Sequence, residues 1–189
     1  MSLFFESDNL TLGYGNQLVI KNLEISLNFS KNYEITGKNG SGKTTLIMCI
    51  SNNFIGNTFN SNIRRKDTSL MEIGSSPSLM PELSLLENIK YFLFNDNINE
   101  NMISNVLNKY ELESFKSDLV GDFSSGMVKR SEIAIADLKN PKVLCIDEPR
   151  VYLDENGVDL LLNLITKREK EGSTCLLYTS DAADDTPCV

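Results

Sequence analysis

Apolar and polar residues alternate with a period of two across LEISLNF, which sets Leu23, Ile25, Leu27 and Phe29 on one face. That spacing predicts a strand with one buried side. A shorter apolar stretch, YEIT (Tyr33–Thr36), predicts a strand that runs into GKNGSGKTT, with the helix-prone LIMCI after it. TSLMEIG predicts a further strand, ended by Gly74 and the turn-former Pro77. From Ser84 the period changes. Ser84 and Glu87 have capping-box spacing ahead of NIKYFLF, and a second helix is predicted over 99–110. KVLCID stays apolar until its closing acid, the pattern of a central parallel strand covered on both faces. An amphipathic helix is predicted over Glu155–Lys170, with Gly172 as its stop. The order is antiparallel strands, strand–loop–helix, a helical insertion, a buried strand and another helix. It predicts one α/β domain with a helical insertion, without internal repeat or linker.

Gly37, Lys38, Asn39, Gly40, Ser41, Gly42, Lys43 and Thr44 fit G-x-x-x-x-G-K-[ST] between a predicted strand and a predicted helix. Glycines let backbone N–H groups turn inward around phosphate oxygens, and the helix start adds the positive end of its dipole. Lys43 is the candidate contact to the β- and γ-phosphates, and Thr44 the candidate Mg²⁺ ligand through its hydroxyl. Asn39, Ser41 and Thr45 complete the candidate nucleotide-binding set. This loop says nucleoside triphosphate without saying which machine.

Composition narrows the setting. At 189 residues the chain is of one-domain length, and its net charge of −8 argues against nucleic acid as a partner. Cys49 and Cys145 sit in apolar surroundings, as reduced buried thiols do, which points to a reducing cytoplasm. No charged-then-apolar leader opens the chain, and no apolar run reaches membrane-spanning length. Scattered asparagines, as in NDNINENMISNVLN, read as compositional bias.

FSSGMVKR (Phe123–Arg130), NPKVLCIDEP and YLDENG follow the phosphate loop in an order and spacing that resemble the ATP-binding subunits of ABC transporters over about Leu3–Thr174. The Ser-x-Gly-Met start with basic residues after it resembles the export-type branch, which includes haem, antibiotic and bacteriocin exporters. The resemblance implies a P-loop NTPase of ABC type: a mixed-sheet α/β core, an N-terminal antiparallel β subdomain and a helical insertion. It implies ATP and Mg²⁺ as ligands. Asp147 would hold the metal through its water shell, and Glu148 would polarise the attacking water as general base. Ser124 and Gly126 would bind the γ-phosphate of a second subunit's nucleotide, Asp154 would couple the two protomers, and Tyr14, in LGYGN, would stack on adenine. The implied partners are a second ATP-binding subunit, as homo- or heterodimer, and an integral membrane permease docking on part of SLMPELSLLENIKYFLF. Leu86, Ile89 and Leu93 there are assigned to core. The implied location is the inner face of the cell membrane. Two rival readings are a non-transport ABC ATPase of translation, repair or cofactor assembly, and a nucleotide-gated module with little hydrolysis.

Three departures stand out. Ser76 occupies the position where the family places a glutamine that touches Mg²⁺ and water, so a weak metal contact and slow turnover are expected. Arg150 and Tyr152 replace smaller residues. The family's switch histidine would align with Asp181, in a chain without histidine. Back-translated as TGT CTC TTA TAC ACA TCT GAC GCT GCC GAC, Cys175–Asp184 resembles a transposon-end sequencing adapter, and Cys188–Val189 fit its continuation. Residues 1–174 are therefore expected to be the ABC domain, and 175–189 translated adapter.

Overall fold

The computed structural model describes residues 2–74 and 76–180, which fall into two compact units. The first unit comprises residues 2–72, 142–148 and 168–180; the second comprises the described residues of 73–141 and 149–167.

The first unit begins with a long hairpin. Strands β1 (Leu3–Tyr14) and β2 (Gln17–Asn28) pair antiparallel from Leu3↔Asn28 to Tyr14↔Gln17. The predicted alternation holds: Leu27 is buried, Leu23 and Ile25 are partly covered, and the residues between them are exposed. Strand β3 (Asn32–Gly37) leads through the phosphate loop to helix α1 (Lys43–Ile50). Two short strands, β4 (Asn57–Thr58) and β5 (Ile63–Arg65), add antiparallel to β1. The second sheet has the order β3-β8-β7-β6, where β6 is Leu70–Ile73, β7 is Val143–Asp147 and β8 is Thr174–Ser180. Strand β8 pairs parallel with both β3 and β7. One core joins the two sheets and α1, with Phe5, Leu10, Leu12, Ile47, Val143, Cys145 and Leu176 fully buried. Residues 175–180 thus form the strand that their apolar pattern imitates. Residues 181–189, including Asp181, lie outside the described residues.

The second unit is the helical insertion. Helix α2 (Leu85–Phe92) carries the predicted capping box. Ser84 Oγ accepts from the Glu87 amide at 3.3 Å, and Glu87 accepts from the Ser84 amide at 2.8 Å. Helix α3 (Glu100–Lys109) starts at the predicted point, capped by Asn99. Both pack on α4 (Ser125–Lys139), and α5 (Glu155–Lys170) follows, its last residues counted with the first unit. Ile89 and Leu93 are core as expected, whereas Leu86 is only half-buried. No described helix is long and apolar enough to cross a membrane. Cys49, Cys145 and Cys175 are free and buried.

Candidate functional site

In the first unit the site is built at the carboxyl ends of β3 and β7. The chain leaves β3 at Gly37 and enters α1 at Lys43, with Gly42 capping the helix in the left-handed region at φ 95°. A Cβ on Gly42 would stand 2.9 Å from Val19 Cγ1, so glycine answers both the backbone angle and the close approach of β2. Helix α1 begins without a capping side chain and without an acidic residue in its first turn. Its first amides and dipole therefore face outward for an anion. Lys43 Nζ donates to the Gly37 carbonyl at 2.5 Å and the Lys38 carbonyl at 3.1 Å, which curls the loop around its own cation. Asn39, Gly40, Ser41 and Thr44 are exposed, and Thr45 is buried beneath the loop.

All five residues of β7 are buried, ending in Asp147. Glu148 turns into the left-handed region at φ 47°, and its amide donates to the Tyr178 carbonyl at 3.0 Å. A non-glycine residue in that region stores roughly 1–3 kcal/mol of strain, and such strain gathers at functional turns. Glu148 is half-buried there, next to the buried Asp147. The buried Tyr178 phenol lies beside both Thr44 and Asp147. Burial raises its pKa, Thr44 opposes the rise and the Asp147 charge adds to it. Thr44 and Asp147 each carry oxygen of the kind a hard divalent cation takes. Tyr178 belongs to the stretch that the codon reading assigns to adapter, so it receives no role. Tyr14 ends β1 nearly half exposed, on the hairpin whose second strand abuts Gly42.

The second unit holds the signature residues. Ser124 caps α4, accepting from the Met127 amide at 3.2 Å. At Gly126 a Cβ would stand 2.9 Å from the Tyr152 carbonyl oxygen, so the 150–154 turn rests on the helix start. Asp154 is engaged within this chain. It accepts a fork of two bonds from Arg130, at 2.6 and 2.7 Å, and caps α5 through the Gly157 amide at 2.8 Å. The Arg130 bond, above all, holds the Asp154 carboxyl below its ordinary pKa. Ser76 is exposed in the loop after β6.

A charged group in this unit went unread in the sequence. Glu132, 2% exposed, accepts from the Ser78 amide at 2.8 Å and the Ser78 hydroxyl at 3.0 Å; burial raises its pKa. Lys129, also buried, donates to the Gly74 carbonyl at 3.3 Å. Both line a cleft of about 340 Å³ with Pro77, Phe123 and Val128. Their spacing of three on a helix, which puts them on one face, was the available signal.

A profile of the family described as ABC transporter matches residues 20–151. The chain belongs to that family. Relatives of this ABC ATPase include a lantibiotic transport ATP-binding protein of Streptococcus pyogenes, 34% identical, with 89% of this chain and 76% of that one covered. A bacitracin transport ATP-binding protein of Bacillus licheniformis is 32% identical, with 95% of this chain and 62% of that one covered. A solved structure titled as the ATP binding subunit of an ABC transporter superimposes with a TM-score of 0.82 at 24% identity, over 95% of this chain and 80% of the other. It shows the ABC cassette fold. The protein is thus an ATP-binding, ATP-hydrolysing subunit of an ABC transporter, and the α/β fold expected from the motifs is the one found.

Proposed function

We propose that this ABC ATPase dimerises around MgATP and drives a membrane permease that exports an antimicrobial peptide or a compound of similar character, working from the cytoplasmic face. The export reading is supported by the transport roles in the names of its lantibiotic and bacitracin relatives. One observation carries the hydrolytic reading: Glu148 stands on a strained left-handed turn directly after the buried Asp147, in the same unit as the open phosphate loop.

In this reading the amides of Gly40–Thr45 and the Lys43 ammonium bind the β- and γ-phosphates. Thr44 and Asp147 hold Mg²⁺, with Ser76 a weak further contact through water. Bound there, the ion neutralises charge on the phosphates. Glu148 accepts the proton of the attacking water, and Tyr14 stacks on adenine. Ser124 and Gly126 meet the γ-phosphate of the partner's nucleotide across the dimer. We also read residues 1–174 as the ABC domain and 175–189 as translated adapter, on the codon agreement; an independent read of the locus past Thr174 tests this.

Phosphate release from the full chain, compared with its Glu148→Gln variant, tests the hydrolytic reading. A general base of this kind contributes about 10²- to 10⁴-fold. A loss of that order with nucleotide binding retained is expected. Equal rates would mean a nucleotide-gated module in place of a hydrolytic motor.

A further inference from the structure

We infer that Phe54 is a positioning residue for adenine, acting through Tyr14; this rests on the reading of Tyr14 as the base-stacking residue. The two rings meet edge to face, with centroids 5.4 Å apart and planes inclined by 67°. Tyr14 is 45% exposed, so it keeps open area for a base, while Phe54 is half-buried and packs on the core of the first unit. The next residue, Ile55, is 91% exposed, so the chain turns Phe54 alone inward.

The segment that carries Phe54 is tightly held. It leaves α1, the helix of the phosphate loop, and is anchored by the Asn53 amide donating to the Met48 carbonyl at 2.8 Å and by Asn53 Nδ2 donating to Glu72 at 3.0 Å. Beyond Phe54, β4 lies antiparallel on the end of β1 at Gly13↔Asn57, and Asn57 Nδ2 donates to the Gly15 carbonyl at 3.0 Å. Gly56 has no room for a side chain. A Cβ there would enter the Phe54 ring and stand 2.7 Å from the Gly13 carbonyl oxygen. The ring is thus clamped between the β1 end and β4, and it fixes the plane of Tyr14. An aromatic edge contact of this geometry is worth roughly a 2- to 12-fold change in an equilibrium. It links the phosphate end of the site to its base end through the few residues after α1.

The test is equilibrium binding, by calorimetry on the full chain, of a non-hydrolysable ATP analogue and of inorganic triphosphate. Phe54→Ala, and Phe54→Leu as the variant that keeps apolar bulk, are expected to weaken the analogue roughly 2- to 12-fold while triphosphate binding stays unchanged. Phe54→Tyr restores the wild-type value. Tyr14→Ala combined with Phe54→Leu is expected to be no weaker than Tyr14→Ala alone, because Phe54 works only through that ring. Equal losses for both ligands, or additive losses in the double variant, overturn the inference while leaving Tyr14 as the stacking residue. If Tyr14→Ala itself leaves the ratio of the two affinities unchanged, the Tyr14 reading falls and this one with it.

Discussion

Replacing Asn88 with alanine should destabilise the helical unit more than any surface change. Asn88 is fully buried at the foot of α2. Its Oδ1 accepts from the Met80 amide at 2.8 Å, and its Nδ2 donates to the carbonyls of Met80, Leu83 and Ser84 at 3.0, 3.4 and 3.1 Å. The Ser84 carbonyl also accepts from the Asn88 amide at 3.0 Å, so it keeps a partner after truncation. The Met80 carbonyl likewise keeps the Leu83 amide, at 3.2 Å, and only the Met80 amide loses its partner. Each well-formed bond is worth about 1 kcal/mol net, and each buried group left unsatisfied costs about 1–3 kcal/mol. With one amide left unsatisfied and the bond to the Met80 carbonyl lost, the sum is about 2–4 kcal/mol, a large share of the roughly 5–15 kcal/mol that holds a domain folded. In urea, with a slope of about 2–3 kcal/mol per molar, the midpoint should fall by about 1–2 M when followed by far-UV circular dichroism. Asn88→Asp sharpens the test. Its carboxylate would face three carbonyl oxygens, so its folded pKa is raised above the unfolded value. Its penalty is therefore absent at low pH, where the carboxyl can donate, and grows as pH rises through the folded pKa. A midpoint shift below about 0.3 M for Asn88→Ala, or an Asn88→Asp variant indifferent to pH, would refute this accounting.

Gly42→Ala should weaken inorganic triphosphate binding at least about tenfold, since the left-handed φ costs about 1–2 kcal/mol before the contact with Val19 is counted; unaltered binding would show that the loop tolerates a side chain. Glu132 has its pKa raised by burial, so the folded state holds the proton more tightly and this carboxyl's contribution declines as pH rises from the unfolded value through the folded one. Urea melts should then show Glu132→Gln gaining on wild type as pH rises above the ordinary carboxylate range, and a constant gap would count against the buried charge. Ser76→Gln should raise steady-state phosphate release, each tenfold gain being about 1.4 kcal/mol of barrier; an unchanged rate removes Ser76 from the metal site.

The elements read most clearly in the sequence are those whose signal is local. The capping box at Ser84, the bounds of α5 and the glycine-rich turn into α1 each depend on residues within a few positions of one another. The alternation along β2 was legible too, because a half-buried strand writes its exposure into every second residue. The two-residue β4 and three-residue β5 carry too few positions to show a period, and they exist by pairing with β1. Two site features were hidden for the same reason. Glu132 reads as one more charge on a helix until Ser78, 54 residues earlier, is found bonded to it. Asp154 carries a role between protomers by resemblance, yet its fork to Arg130 and its cap on α5 appear only once the chain is folded.

Phe54 makes the same argument from the other side. Nothing in SNNFIGN distinguishes that ring from an ordinary core aromatic, and its partner Tyr14 lies forty residues upstream. The contact arises because β4 returns to the end of β1, and β4 can do so because Gly56 lacks the Cβ that would strike the Gly13 carbonyl. Phosphate recognition is written in one continuous motif because backbone amides of a single turn perform it. Base recognition needs a flat ring held at a set angle, which takes two strands and a segment between them. The phosphate half of the site is therefore legible from eight consecutive residues, while the base half becomes legible only through tertiary packing.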